Sequence, residues 1–385
     1  MRKVCVVITA RPSYARIKTA LEAIKNHPNL ELQLIVAASA ILSRYGNVCR
    51  VMEADGFEIT AKAMTLVEGE NSESMAKTTG LGIIELSTLF SVYKPDVVIT
   101  VADRYETIAT AISAAYLNIP LVHVQGGEVT GSIDEKVRHS ITKIADFHLV
   151  ANNEARTRVI RMGEDESRVI NTGCPSMDLA KLSLDLPDLS LADAVAQYGG
   201  VGAAIEPEQD YIIVMQHPVT TEHSMALEQI RETITAVHGS GMQALWFWPN
   251  PDAGSDGTSK GIRAFRESTP HNRIHFFKNM EPEVFLRVLR KSRCIVGNSS
   301  VAIRECAYLG VPAVNIGSRQ ANRQRGANVV DVQYEAATIL AAIQTQIHKF
   351  GTLDHDYLYG DGEAGARIAD HCASMPLISN KYITY

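Results

Sequence analysis

The residue types that can do chemistry sit in short blocks, each following an apolar, strand-like run. After Val4–Thr9 comes Ala10-Arg11-Pro12-Ser13-Tyr14. A cation at a strand end, ahead of a helix N-terminus, suits a phosphate. No G-x-G-x-x-G is present there, so no nicotinamide or flavin cofactor is called for. After Asp96–Val101 come Asp103, Arg104 and Glu106, which can set a carboxylate beside a cation. Asp103 and Glu106 also have the spacing of a helix capping box. After Ile119–Val124 comes Gln125-Gly126-Gly127-Glu128, followed by Asp134, Glu135, Arg138 and His139. Paired glycines let the backbone approach a ligand closely, and Glu128, Asp134 and Glu135 bring carboxylates to one loop. Ser132 or Asp134 is also placed to cap the next helix.

The second half repeats the arrangement. Gln216-His217-Pro218 fixes a histidine at a strand end, where a proton-transfer group is useful. Trp248-Pro249-Asn250-Pro251 offers, in Asn250, a donor and an acceptor. Gly297-Asn298-Ser299-Ser300 lies between a strand, Cys294–Val296, and a helix expected over Val301–Leu309. Two hydroxyls and free backbone N–H groups at a helix N-terminus make an anion site. Glu305 lies more than a turn further on, out of reach of that anion but able to accept both hydroxyls of a ribose. The plain alternative makes Ser299 a simple N-cap and puts Glu305 on a solvated face. Arg319, Arg323 and Arg325 form a second cationic patch. No zinc spacing or magnesium-type carboxylate cluster is evident, so no metal is expected.

These blocks need a scaffold. Continuous β-branched runs alternate with segments of helical period, the pattern of a parallel sheet covered on both faces. Helices are expected over Tyr14–Asn26, Asn71–Tyr93, Glu106–Leu117 and Glu135–Ala145, then over Ser224–His238, Pro282–Lys291 and Glu335–His348. Strands are expected over Glu31–Ala37 and Phe147–Val150, then over Tyr211–Met215, Ala244–Phe247, Ile274–Phe276 and Ala313–Ile316. The pattern pauses between Leu179 and Gln209. The expectation is an α/β protein of two doubly wound domains facing across a cleft, with ligands outside the carboxyl ends of the strands.

The 385 residues allow for such cores, and the net charge of −6 excludes a polyanion-coating protein, so no nucleic-acid partner is expected. The longest apolar runs are strand-sized, short of the ~18 residues a membrane helix needs. The first of them, Val4–Ala10, reads as a strand rather than a signal segment. Six scattered cysteines suit a reducing cytosol, so a cytoplasmic location is expected.

Taken in order, DRYE (103–106), GGEVTGSIDE (126–135), RHSITK (138–143), QHPVTT (216–221), PNPDAGS (249–255), GNSS (297–300), RE (304–305) and YGDG (359–362) resemble the hydrolysing UDP-N-acetylglucosamine 2-epimerases of sialic-acid pathways. These include the epimerase half of the bifunctional animal enzyme. The resemblance runs from about residue 3 to about residue 370. It implies Rossmann-like domains in the arrangement of B-type glycosyltransferases, over 1–180 and 181–360, with a C-terminal helix within 361–385 crossing back toward the first. It implies a UDP-sugar substrate, a homodimer or homotetramer, and release of N-acetylmannosamine and UDP through a 2-acetamidoglucal. By position, UDP contacts would be Arg11, Arg104, His217, Asn250, the Met280 backbone, Ser299, Ser300, Glu305 and Arg319, and the catalytic set Asp103, Glu128, Asp134 and His217. The chain departs from the animal enzyme at Gln125, where that enzyme has a glutamate considered catalytic. It departs also at Ala40 (a histidine in the family), Ala15 (a serine) and Ala102 (a glycine).

Overall fold

A computed structural model describes residues 1–43, 47–69, 71–102, 104–130, 133–249 and 254–384. The chain divides into two compact units. The first holds Met1–Glu128, Ile133–Asp178 and the chain from Tyr359 onward, and the second holds Leu179–Leu358 with Val129 and Thr130.

The first unit is built on seven strands: β1 (Arg2–Ile8), β2 (Leu30–Ala37), β3 (Ala61–Ala63), β4 (Val97–Val101), β5 (Leu121–Val124), β6 (Phe147–Val150) and β7 (Val169–Asn171). They pair in parallel in the order β3-β2-β1-β4-β5-β6-β7. Consecutive apolar side chains of β4, all buried, serve both faces of the sheet. Helices α1 (Arg11–Asn26), α2 (Val48–Ala54), α3 (Ser72–Tyr93), α4 (Thr107–Tyr116), α5 (Asp134–Ile144) and α6 (Asn153–Arg161) follow the strands, and α7 (Pro175–Asp185) begins in this unit and runs on into the second. Asn71 and Ser74 close a capping box on α3, and Lys94 in the left-handed region ends it before Pro95.

The second unit uses β8 (Val201–Gly202), β9 (Tyr211–Met215), β10 (Gln243–Phe247), β11 (Ile274–Phe277), β12 (Ile295–Gly297), β13 (Ala313–Ile316) and β14 (Val329–Val332). Their order is β14-β13-β12-β9-β10-β11-β8, parallel except for the edge strand β8. Its helices are α8 (Leu191–Tyr198), α9 (Ala226–Gly239), α10 (Ser255–Ser268), α11 (Pro282–Leu289), α12 (Glu305–Leu309) and α13 (Ala336–Ile347). The expected pause in the pattern is therefore filled by α8 and β8. The single helix expected over Val301–Leu309 is instead a 3-10 turn, Ser300–Ala302, followed by the five-residue α12.

The last helix, α14 (Ala364–Ser374), returns to the first unit and packs on α1. Gly365 makes this possible, because a Cβ there would stand 2.7 Å from the Thr19 carbonyl carbon. The buried Asp178 carboxylate accepts from the N–H groups of Ala364 (2.9 Å) and Gly365 (2.6 Å) and from the Thr19 hydroxyl (2.9 Å). It thus caps α14 and ties it to α1. Among the described residues, no helix is long and apolar enough to cross a membrane.

Candidate functional site

In both sheets the strand order reverses beside the first strand of the series, between β1 and β4 and between β9 and β12. Such reversals open crevices at the carboxyl ends. In the first unit the expected residues come off β1, β4 and β5, which are adjacent strands. Arg11 opens α1, three residues earlier than the periodicity suggests, with Pro12 in the first turn. Pro is suited to that turn, where its missing N–H costs nothing.

Beyond β4, Ala102 adopts left-handed backbone (φ 60°), its N–H donating to Val124 O at 2.9 Å. Its carbonyl accepts from His123 Nε2 at 2.9 Å. Burial pushes the His123 ring pKa down to about 3, so the ring is neutral and Nε2 carries the proton. Thr142 Oγ1 lies 3.2 Å from Nδ1. Asp103 lies outside the described residues. Arg104 Nε donates to the buried Glu106 carboxylate at 2.8 Å. Glu106 is thus an ion-pair partner and makes no side-chain cap on α4.

Beyond β5, Gln125 is likewise left-handed (φ 65°) and buried, donating from Nε2 to Cys174 Sγ at 3.1 Å. Glu128 is buried, and its backbone carbonyl accepts from Arg138 Nη1 at 2.9 Å. Arg138, itself buried, also donates to Glu135 at 2.9 Å. Arg158 donates to Gly127 O. Two guanidiniums therefore pin the loop from helices on its far side. Asp134 is the first residue of α5, with Ile133 at the N-cap making no side-chain cap; acids there favour the helix dipole. Arg138 was visible in the sequence as part of its block, but its burial and its hold on the Glu128 carbonyl were not.

In the second unit, β9 and β12 pair directly, Met215 opposite Gly297. Gly297 (φ 135°) is required, since a Cβ would sit 2.2 Å from Met215 O. Beyond it, the Ser299 hydroxyl accepts from Val301 N–H at 3.4 Å and caps only the short turn. Ser299 and Ser300 are both buried. Glu305 begins α12, and its Oε2 is buried without a hydrogen-bond partner, so it does not sit on a solvated face. His217 is buried at the end of β9. Met280 N–H donates to Asn279 Oδ1 at 2.9 Å, so that donor is used within the loop. Asn250 lies outside the described residues.

The three arginines differ in setting. Arg323 is buried and donates to Gln320 Oε1, while Arg325, partly exposed, pairs with Asp331. Arg319 is also of intermediate exposure, with Nη1 3.2 Å from Asn298 O. Among the described residues, no group of three or more His, Cys, Asp or Glu side chains is placed to hold a metal.

Residues 22–373 match the family model described as UDP-N-acetylglucosamine 2-epimerase. The chain belongs to the UDP-N-acetylglucosamine 2-epimerase family. It is 31% identical over 363 residues to the UDP-N-acetylglucosamine 2-epimerase of Neisseria meningitidis serogroup B, covering 94% of this chain and 92% of that one. It is 30% identical over 379 residues to the UDP-N,N'-diacetylbacillosamine 2-epimerase (hydrolyzing) of Legionella pneumophila, covering 98% and 97%. Among solved structures, the Neisseria meningitidis UDP-GlcNAc 2-epimerase bound to UDP-GlcNAc superposes with a TM-score of 0.79 at 18% identity, covering 96% of this chain and 98% of that one. That likeness confirms the expected fold. Within this 2-epimerase family member, Ala102 and Gln125 both adopt left-handed backbone just past their strands.

Proposed function

We propose that this 2-epimerase is of the hydrolysing type and converts UDP-N-acetylglucosamine and water to N-acetylmannosamine and UDP. The C2 proton of the sugar has no adjacent carbonyl to acidify it. Elimination therefore depends on the leaving group and on an oxocarbenium-like C1, with the departing diphosphate stabilised electrostatically. Arg11, Arg104, Arg319, the Ser299–Ser300 segment and the Met280 backbone serve the diphosphate and uridine together with Asn250. Glu305 takes the ribose hydroxyls. Asp103 and Glu128 share removal of the C2 proton and its return from the other face, with Asp134 assisting proton transfer and His217 serving both the phosphates and that transfer. Water then adds across the double bond of the 2-acetamidoglucal.

The observation that carries this reading is Glu305. A buried carboxylate oxygen without a partner, beside the β9–β12 reversal, is costly unless a ligand supplies donors. The two hydroxyls of a ribose are such donors. The test is to incubate the protein with UDP-N-acetylglucosamine in deuterated water. Free UDP and N-acetylmannosamine carrying deuterium at C2 are expected. An epimerised sugar still attached to UDP would overturn the hydrolysing assignment.

A second sugar is favoured by one specific finding, the near-equal match to the Legionella relative. A UDP-2,4-diacetamido-2,4,6-trideoxyhexose would undergo the same elimination with a different C4 and C6 pocket. Parallel turnover on both donors decides between them.

A further inference from the structure

We propose that Asn298 is a positioning residue for the nucleotide end, whose buried side-chain amide fixes His217 and whose backbone holds Ser299 and Arg319 beside it. The proposal deepens the UDP-site reading above and rests on it. Asn298 is fully buried. Its side chain bonds the His217 backbone in both directions. Oδ1 accepts from His217 N–H at 2.8 Å, and Nδ2 donates to His217 O at 2.8 Å. The side-chain amide thus clamps the β9 segment to the β12 segment one step past the end of their parallel pairing.

The Asn298 backbone does the rest. Its N–H donates to Met215 O at 3.1 Å. Its carbonyl accepts from Arg319 Nη1 at 3.2 Å and from Gln320 Nε2 at 2.9 Å. Ser299 is the next residue. One residue, through its side chain and its backbone, therefore ties together a histidine, a serine and an arginine that arrive from the ends of three different strands. The clamp needs a donor and an acceptor side by side at this reach. Aspartate has no donor for His217 O when ionised, and serine does not reach across.

The readout is UDP affinity by calorimetry on the full chain, with folding checked by circular dichroism. Asn298→Ala is expected to remain folded and to bind UDP about tenfold or more weakly, the effect of orphaning buried polar groups in a site. Asn298→Asp is expected to be weak at neutral pH. Its affinity relative to wild type should recover on acidification, because the protonated acid again donates to His217 O. A purely structural amide would lower the unfolding temperature but leave the folded protein's UDP affinity unchanged at every pH, and that result overturns the proposal. In a cycle with His217→Ala, the two losses should overlap rather than add; full additivity also overturns it. Should the Asn298 variants not fold, Gln320→Met removes one donor to the Asn298 carbonyl. Several-fold weaker UDP binding is then expected, and unchanged binding counts against the idea. Failure of the wild-type protein to bind UDP would instead remove the nucleotide-site reading itself.

Discussion

In the first unit the chain leaves β4 and β5 through left-handed backbone on residues that carry a Cβ, Ala102 at φ 60° and Gln125 at φ 65°. In the second it leaves β12 and β13 through glycines, Gly297 at φ 135° and Gly317 at φ 72°. A left-handed L-residue costs about 1–2 kcal/mol and persists only where its surroundings over-determine it. Here those surroundings are visible. Ala102 is held by Val124 O and by the neutral His123. Gln125 is held by Leu149 O and Cys174. The first unit thus keeps strain directly beside its candidate acids, on a platform fixed by buried side chains. The second gains close approach without strain and spends its polar groups on clamps. A general base must be placed to a few tenths of an ångström, whereas a diphosphate is held by several groups at once. The difference therefore fits the proposed placing of the two principal acids, Asp103 and Glu128, in the first unit and of the larger share of nucleotide contacts in the second.

The largest effects should break that division if it is wrong. Asp103→Asn and Glu128→Gln should each lower turnover by about 10²–10⁴-fold, the range for a positioned acid or base, with UDP affinity near wild type. Near-normal turnover in both would end the assignment of acids to the first unit. Gly297→Ala should destabilise the second unit by roughly 3 kcal/mol or more, because its Cβ would stand 2.2 Å from Met215 O. Chemical denaturation measures this, and a loss under about 1 kcal/mol would contradict the close approach. Glu305→Gln should weaken UDP about tenfold while leaving 2′-deoxy-UDP less affected. Equal losses on both nucleotides would mean that Glu305 does not read the ribose.

Much of this was legible in the chain before folding. The long apolar strands and the helices α1, α3, α9 and α13 announce themselves by period, because each buries a continuous run or a full stripe. The elements that escaped are of another kind. β3 spans three residues and β8 two exposed ones. α10, SDGTSKGIRAFRES, buries a face made mostly of small and hydroxyl residues, Ser255, Thr258, Ser259 and Gly261, which a search for large apolar side chains passes over. The site residues were legible by type, since a strand end followed by Gly, His or an acid is a local signal. Their partners were not. Glu106 has the spacing of a cap yet pairs with Arg104. Arg323 and Arg325 look like a cationic patch, yet Arg323 bonds inward to Gln320 and Arg325 is paired with Asp331. Asn298 looks like spacer between a glycine and two serines. The Asn298 role is set by partners from other strand ends, and the Glu106, Arg323 and Arg325 pairings by how near neighbours in the chain fold; one-dimensional spacing carries no record of either.

Acid should separate the two units. Burial pushes the rings of His123, His148 and His371 down, His123 to about 3. All three lie in the first unit. As pH falls below the ordinary value of 6.5, the unfolded chain takes protons that the folded rings refuse, so stability is lost from there downward. Glu164 adds a later loss. Burial alone would raise it, but bonds from His148 (3.0 Å), Lys143 (2.6 Å) and Lys381 (2.6 Å) hold it at about 2. Its stabilisation, complete above the ordinary 4.5, disappears between 4.5 and about 2. Asp146 and Asp178, pushed up by burial, act in the opposite sense and only in the carboxylate range. Both tryptophans, Trp246 and Trp248, lie in the second unit. On acid titration, circular dichroism should therefore begin to fall at a higher pH than the tryptophan emission shifts. Coincident transitions would show that the first unit's histidines do not govern its acid limit.

The smallest effect bears on the strain itself. Ala102→Gly removes a left-handed Cβ worth about 1–2 kcal/mol. It also exposes the loss of a buried methyl, about 0.8 kcal/mol, and adds the chain entropy of glycine, about 0.5–1 kcal/mol. These terms nearly cancel, so the change in unfolding free energy should stay within about 1 kcal/mol, in contrast to Gly297→Ala. Turnover is the sharper measure, because the hydrogen bonds from His123 and to Val124 involve only the Ala102 backbone and survive the substitution. If those bonds fix the platform, turnover stays within about twofold of wild type. If the Ala102 Cβ is needed to keep the backbone from relaxing, turnover falls while stability holds, and the rigidity of the acid-bearing strand ends would then come from the side chain rather than from the bonds around it.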